Sequence, residues 1–287
     1  MSSNMVRRVA FAVVAIPVLV GVVWLGAWPL VALLVAAATL GIDELFQLSE
    51  RAGVKPFRNL GRFLAGIVPL ALLAMAKLPA DSWLFDSWGY AVLLSVLLVI
   101  TVGVFARTPE QRPLASIAVT LFGVLYTSVL PSTLFVLRHA LWGPRSWAGT
   151  ALVFFPLIVT WVCDSAAMLG GQMIGGAKMA PIISPGKTRA GGIAGLVGGT
   201  AIGAAYAIVV FPRVGIELNV LSASMLALAL SAIGQVGDLA ESLFKREAGV
   251  KDSSALIPGH GGVLDRLDSL YFVIPAAAAG FHLLGVI

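Results

Sequence analysis

The chain has 287 residues, of which 59% are hydrophobic and only 11% are charged. A soluble globular domain carries about 25% charged residues, so this composition excludes an ordinary water-soluble fold. A single cysteine, Cys163, excludes an internal disulfide and a cysteine-based zinc or iron–sulfur site. The net charge of +5 comes from basic residues scattered between apolar runs. That pattern suits anionic lipid and nucleotide phosphates as partners, and we expect no nucleic-acid partner.

The apolar residues form successive runs of about twenty, the length that crosses a bilayer core of ~30 Å as a helix. The sequence therefore predicts an all-α, polytopic integral membrane protein with about nine transmembrane helices. The predicted spans are 9–25, 28–43, 62–78, 88–106, 114–141, 148–170, 190–212, 216–237 and 270–287. We expect one membrane domain, 1–287, with N-terminal helices in 1–141 and the active site in the C-terminal half, 148–287.

The basic residues predict the orientation of the chain in the membrane. Most of the 19 Lys and Arg residues lie in connections on the same side as the N-terminus. The positive-inside rule places this side in the cytoplasm. The two long polar connections, 171–189 and 238–269, also lie on it, so we expect the active site to face the cytoplasm.

The sixth and seventh predicted spans contain unusual residues. Asp164 lies inside the apolar run of the sixth span, where a charged group costs ~2.5–3.5 kcal/mol and so faces a polar cavity or a partner. An aspartate near the interface, bonded to a neighbouring helix, is the alternative. The seventh span begins with glycines at a spacing of four, which predicts close packing of another helix. They are Gly191, Gly195, Gly199 and Gly203.

The segment PIISPGKT at 181–188 ends like a phosphate-binding P-loop. Pro181 occupies the place of the first glycine, however, and the segment lies between membrane helices, so we reject that assignment. Lys187, Thr188 and Arg189 remain candidate phosphate contacts, because a basic, hydroxyl-bearing turn that enters a helix N-terminus attracts anions.

The segment 237–269 concentrates charged residues in a chain that otherwise has few. If the preceding helix continues past residue 237, the side chains that share one face are Asp238, Glu241, Ser242 and Lys245. Asp265 and Asp268 lie where the next helix begins, and capping is an alternative role for both. Aspartates from two elements, with lysine and arginine nearby, suit nucleotidyl transfer, in which magnesium neutralises a triphosphate. A solvated charged loop is the alternative.

This segment resembles the CDP-diacylglycerol synthase (phosphatidate cytidylyltransferase) family. The family pattern is S-x-x-K-R-x-x-x-x-K-D-x-S followed by P-G-H-G-G-x-x-D-R-x-D. The matching residues are Ser242, Lys245, Arg246, Lys251, Asp252, Ser254, Pro258, Gly259, His260, Gly261, Gly262, Asp265, Arg266 and Asp268. The stretch FGVLYTSVLPSTLFVLR at 122–138 and the D-S and S-P-x-K-T elements at Asp164 and Ser184 also look like this family.

The resemblance implies that lipid phosphate attacks the α-phosphorus of CTP, so that phosphatidic acid becomes CDP-diacylglycerol and pyrophosphate leaves. It implies Mg²⁺ held by Asp238 and Asp265, with a second cation left open, and catalytic roles for Asp268, Lys245 and Asp164. The implied substrate contacts are Ser184, Lys187, Thr188, Arg189, Ser242, Arg246, Lys251, Asp252, His260 and Arg266. It also implies phospholipid biosynthesis by a homodimer in the bacterial cytoplasmic (inner) membrane.

Two other functions remain open. A CTP-dependent polyisoprenoid or lipid-alcohol kinase would transfer the γ-phosphoryl group and release CDP. A cation-coupled transporter would use Asp164 at a midplane ion site. The gathering of polar groups on one membrane face and the lack of an apparent internal repeat favour the synthase over the transporter.

Overall fold

The computed structural model describes residues 3–77, 88–140, 142–256 and 261–287, and most of them are helical. The helices are α1 Ser3–Leu25, α2 Ala27–Arg51, α3 Arg58–Met75, α4 Trp88–Ala106, α5 Pro113–Val124, α6 Leu130–His139, α7 Trp147–Ile174, α8 Arg189–Val209, α9 Val220–Glu247, α10 Leu264–Leu267 and α11 Leu270–Leu283. A π-helical turn, Leu125–Val129, joins α5 to α6, and short 3-10 turns lie at Pro109–Gln111 and Pro212–Val214. Strands β1 Lys178–Ala180 and β2 Ser184–Thr188 form an antiparallel hairpin.

Within the described ranges, seven helices are long and apolar enough to cross a membrane. They are α2, α3, α4, the continuous helix Pro113–His139, α7, α8 and α9. Helix α4 illustrates why lipid is the solvent, since Leu93, Leu94 and Leu97 are all more than half exposed. Such a surface is stable in hydrocarbon and costly in water. The predicted all-α polytopic membrane protein is confirmed, whereas the count of nine spans and the cytoplasmic N-terminus stay predictions.

Two helices run further than the apolar pattern indicates. The predicted span 216–237 extends further than its apolar run, because α9 continues to Glu247, as the predicted polar face at Asp238 requires. It ends in a Schellman motif, in which Gly249 has φ +69° and the amide of Val250 donates to the carbonyl of Lys245 at 2.9 Å. Helix α2, predicted to end at residue 43, continues to Arg51. Hydropathy marks only the lipid-embedded part of a helix, and these polar turns lie beyond it.

The described residues form two compact units, and each is discontinuous in sequence. Unit 1 contains Met1–Leu30, Thr133–Ser242 and Asp268–Ile287, and unit 2 contains Val31–Ser132 and Leu243–Leu267. Both units therefore draw on the N-terminal and C-terminal halves of the chain. The prediction of a single membrane domain stays a prediction.

In unit 1, the glycines of α8 let neighbouring helices approach closely, as predicted. A Cβ atom at Gly195 would lie 3.0 Å from the carbonyl oxygen of Cys163 in α7, and one at Gly203 would lie 2.2 Å from the Cβ of Ala227 in α9. Any larger residue there would push these helices apart. The stripe thus fixes α7, α8 and α9, which carry the candidate residues Asp164, Arg189 and Asp238.

In unit 2, α2 packs into a cluster of buried apolar side chains. Ile42 and Phe46 of α2 contact Ala65 of α3 and are fully buried. A Cβ atom at Gly61 would lie 2.5 Å from the Phe46 ring, so glycine is needed at this crossing. This packing fixes the rotation of α2 about its axis and thereby the direction of its one deeply buried acidic side chain, described below.

Candidate active site

Three predicted site residues come together in unit 1. Lys187 of β2 forms an ion pair with Asp238 of α9, with 2.5 Å between Nζ and Oδ2. Asp164 of α7 interacts electrostatically with both of them. Both side chains of the pair keep more than a quarter of their surface exposed. Lys187 therefore lies close to acidic residues of two predicted site segments, Asp164 of the sixth span and Asp238 of the 237–269 segment.

The β-hairpin that carries Lys187 was not foreseen, because the sequence predicted only a polar connection from 171 to 189. Its first part is still helical, since α7 continues to Ile174. Gly175 and Gly176, with φ of +65° and +87°, then turn the chain into the hairpin. Strands of three and five residues carry too little hydrophobic periodicity to be recognised from sequence. The double glycine was the available signal.

Thr188 has a structural role in this state. It is the N-cap of α8, where its Oγ1 accepts a hydrogen bond from the amide of Gly191 at 3.0 Å, and it is buried. Ser184 begins β2 opposite Ala180, and the Arg189 side chain is exposed. The predicted entry into a helix N-terminus is confirmed, although Lys187 and Thr188 lie in strand β2 and not in a turn. The phosphate contacts of these residues stay predictions.

On α9, the hydroxyl of Ser242 lies 3.4 Å from Asp238 Oδ1, one helical turn away. The predicted polar face required a helix that continues past residue 237, and α9 does so. Asp268 lies just before α11, and its Oδ1 accepts the amide of Ser269 at 2.6 Å. A Cβ atom at Gly237 would lie 2.9 Å from the Asp268 carbonyl oxygen, so the glycine beside Asp238 lets the chain at Asp268 pack against α9.

Asp265 lies at the centre of a hydrogen-bond network in unit 2. Its Oδ1 accepts Lys245 Nζ at 2.7 Å, and Oδ2 accepts the amides of Ser253 and Gly262 at 2.9 and 2.8 Å. The hydroxyl of Ser253 lies 2.8 Å from the same Oδ2. Burial alone would raise the pKa of the Asp265 carboxyl, but the Lys245 ammonium and these donors outweigh it and hold that pKa below its ordinary value.

Glu44 of α2 is the residue that the sequence analysis missed. Glu44 is buried, with 3% of its surface exposed. Oε1 accepts the hydroxyl of Ser254 at 2.7 Å and the amide of Val263 at 2.9 Å, and Oε2 accepts the amide of Leu264 at 2.9 Å. The hydroxyl of Ser253 also lies 2.9 Å from Oε2. Glu44 directly follows the predicted span 28–43, so the signal that singled out Asp164, an acidic residue inside an apolar run, did not mark it.

The remaining predicted substrate contacts lie at the surface of unit 2. Their side chains are exposed, which suits them to a solvent-borne nucleotide: Arg246, Lys251, Asp252 and Arg266. The guanidinium of Arg246 donates to the carbonyl of Val250 at 2.8 Å. His260 lies outside the described residues.

Within the described ranges, no three His, Cys, Asp or Glu side chains are close enough to form a metal centre by themselves. The oxygen ligands present are nevertheless those that Mg²⁺ prefers, and it commonly takes only one or two protein carboxylates plus phosphate oxygens. Asp265 Oδ2 accepts two backbone amides and also lies within hydrogen-bond distance of the Ser253 hydroxyl, so its lone pairs are occupied within the loop. Oδ1 has one donor and so retains lone-pair capacity. The donor set therefore fits a metal bound together with a nucleotide.

Comparison with known proteins gives a consistent match. A model of the cytidylyltransferase family matches residues 6–284. A Haemophilus influenzae protein named phosphatidate cytidylyltransferase is 39% identical over 221 residues, or 75% of this chain and 71% of the relative. Relatives of the same name from Bacillus subtilis and Brucella suis are 30% identical over 279 residues (95% and 96%) and 37% identical over 227 residues (75% and 78%). The family match spans every candidate site residue described above.

Proposed function

The chain belongs to the cytidylyltransferase family, and on that premise we propose that it is a phosphatidate cytidylyltransferase. It would convert CTP and phosphatidic acid into CDP-diacylglycerol and pyrophosphate. The observation that carries this proposal is the family match over residues 6–284, together with relatives of that name at 30–39% identity. As a nucleotidyltransferase and an integral membrane protein, the chain suits a reaction between a soluble nucleotide and a lipid.

The proposed reaction is a single displacement. An oxygen of the phosphatidic acid phosphate forms a bond to the α-phosphorus of CTP, and the bond from that phosphorus to the oxygen bridging to the β-phosphate breaks. Pyrophosphate takes the electron pair and leaves. Two anionic groups must meet in this step, so the protein's task is to hold them in line and offset their charge.

We assign metal binding to Asp238 and Asp265, as the family resemblance implies. Bound magnesium would supply charge neutralisation on the phosphates. The support is that each carboxylate is balanced by one lysine: Lys187 for Asp238 and Lys245 for Asp265. A lysine ammonium is a mobile point charge on a flexible stem, so it can turn from a carboxylate to a phosphate oxygen. A second cation stays a prediction.

The other residues would orient the substrates. Three basic side chains are exposed and so can pair with the triphosphate or the lipid phosphate: Arg189, Lys251 and Arg266. Asp164 and Asp268 would act as supporting acids. The remaining proposed substrate contacts are Ser184, Thr188, Ser242, Arg246, Asp252 and His260.

We also propose that the enzyme lies in the bacterial cytoplasmic membrane with its active site facing the cytoplasm. The excess of basic residues on one side of the predicted spans supports this orientation. The acyl chains of phosphatidic acid would remain in the bilayer while the head group reaches the polar residues. The homodimer stays a prediction that the resemblance implies.

The direct test follows two labels of CTP through the reaction of purified protein with phosphatidic acid and magnesium. We expect the α-phosphate label to enter lipid and the γ-phosphate label to leave in pyrophosphate. Transfer of γ-label to lipid, with release of CDP, would establish the kinase alternative. No transfer of either label would refute the proposed function.

A further inference from the structure

The Glu44 carboxylate contacts residues on both sides of the glycine-rich stretch that contains His260. Ser253 and Ser254 precede that stretch, and Val263 and Leu264 follow it. All four donors are neutral hydroxyl or amide groups at 2.7–2.9 Å from the carboxylate. Hydrogen bonds to a charged acceptor are about twice as strong as neutral ones. One buried side chain of a membrane helix therefore fixes both ends of a segment that belongs to the family signature.

We propose that Glu44 is a positioning residue for the cytidylyltransferase reaction, because its carboxylate binds Ser253, which also contacts Asp265, and the amide of Leu264, which directly precedes Asp265. This inference rests on the proposed function and adds to it a residue of α2, which lies more than 200 positions before the signature residues that it binds. Glu44 is not assigned any contact with substrate. Its effect reaches the reaction through the residues that it binds.

Ser253 links the two carboxylates directly. Its hydroxyl oxygen lies 2.9 Å from Glu44 Oε2 and 2.8 Å from Asp265 Oδ2. A hydroxyl carries one proton and can donate it to only one acceptor at a time. The position of Asp265 is therefore coupled to that of Glu44 through a shared donor, and the adjacent Leu264 amide provides a second connection.

Gly262 shows how closely this arrangement is packed. A Cβ atom at Gly262 would lie 2.3 Å from Glu44 Oε2 and 2.1 Å from Ser253 Oγ. Neither oxygen can withdraw without losing a hydrogen bond. Glycine is needed here for close approach to the carboxylate, and its own amide donates to Asp265 at 2.8 Å.

The test compares Glu44→Gln with Glu50→Gln in the purified full-length protein. Glutamine keeps the size of the side chain but replaces one acceptor oxygen with an NH₂ group. That group is a donor facing amide or hydroxyl donors, so it cannot accept their hydrogen bonds. Loss of charge-assisted hydrogen bonds predicts a fall in kcat of about 10- to 100-fold with little change in KM for CTP or phosphatidic acid. Glu50 lies on the same helix in an exposed ion pair with Arg58, and its variant is expected to keep wild-type kinetics.

A second measurement separates positioning from general destabilisation. Hydrogen exchange is expected to quicken in Glu44→Gln at the amides of Val263 and Leu264, while α3 keeps its wild-type exchange. Unchanged kcat, unchanged exchange at these amides, or an equal rise of exchange across α3 would each overturn the proposal.

If Glu44→Gln does not fold, Ser254→Ala replaces it. This change removes one of the four donors and leaves the carboxylate in place, and we expect a several-fold fall in kcat, with faster exchange at Val263. Wild-type kcat and exchange in that variant would count against positioning by Glu44. A wild-type protein inactive with CTP and phosphatidic acid would refute the proposed function, whereas the exchange experiment would still decide whether Glu44 orders the segment.

Discussion

At the scale of single residues, Asp265 combines two tasks that substitution can separate. Its carboxylate accepts hydrogen bonds from Ser253 and Gly262, which order the segment, and it pairs with Lys245. A capping or ordering role depends on acceptor geometry. A metal-binding role depends on negative charge.

We predict that Asp265→Asn abolishes turnover at all practical magnesium concentrations while the protein stays folded and inserted. Loss of one group that stabilises a charged transition state costs ~2.7–4 kcal/mol, or about 100- to 1000-fold in rate. Ser253→Ala removes a donor to the same oxygen but keeps the charge, so a much smaller loss is expected. Lys55→Gln, on an exposed loop, is the inert control. A fully active Asp265→Asn enzyme would contradict the metal assignment.

Lys187 is predicted to bind substrate phosphate. We expect Lys187→Gln to raise KM for CTP by about tenfold or more, since a charge-assisted hydrogen bond contributes ~1.5–3 kcal/mol. Lys178 lies on the other strand of the same hairpin and is exposed, so Lys178→Gln is the matched control and should leave KM unchanged. Steady-state kinetics with varied CTP concentration measures KM for both variants. Equal KM values for the two variants would remove Lys187 from the nucleotide site.

At the scale of elements, the hairpin and α8 meet at Thr188, whose buried hydroxyl caps the helix. Replacement of an N-cap threonine by alanine costs ~0.5–2 kcal/mol of stability, and serine keeps the cap. We therefore predict a lowered Tm for Thr188→Ala and a near-normal Tm for Thr188→Ser. The proposed substrate contact of the hydroxyl predicts in addition a raised KM for CTP in Thr188→Ala and a near-normal KM in Thr188→Ser. Wild-type KM for CTP in Thr188→Ala would leave this residue with the capping role alone.

The elements also show what could be predicted from sequence. Apolar runs located the seven long apolar helices of the described residues, and the glycine spacing correctly predicted close packing around Gly195 and Gly203. Hydropathy could not predict that α9 runs to Glu247, because its last turns are polar and lie beyond the apolar run. The significance of Glu44 was out of reach, since its partners are more than 200 residues away and a single sequence carries no information about that pairing.

At the scale of the whole molecule, the orientation of the chain is the main prediction. Lys251 should face the cytoplasm and Ile287 the opposite side, as the charge asymmetry and nine spans require. Helix α11 has 14 residues, which gives a length of ~21 Å against a bilayer core of ~30 Å. It is one of the two predicted spans that fall outside the seven long apolar helices of the described residues, the other being the first, 9–25. Reporter fusions at Lys251 and Ile287 test the orientation, and finding both on one side would contradict nine spans.

The contacts of Glu44 also constrain how the protein is made. Its partners follow it by 209 to 220 residues. At ~5–20 residues per second, ribosomes complete them ~10–40 s after α2 has been synthesised. During that interval the carboxylate has none of these donors. Maturation of unit 2 is therefore coupled to arrival of the last quarter of the chain, and a nascent chain arrested before Ser253 would keep the Glu44 carboxylate without these four protein donors.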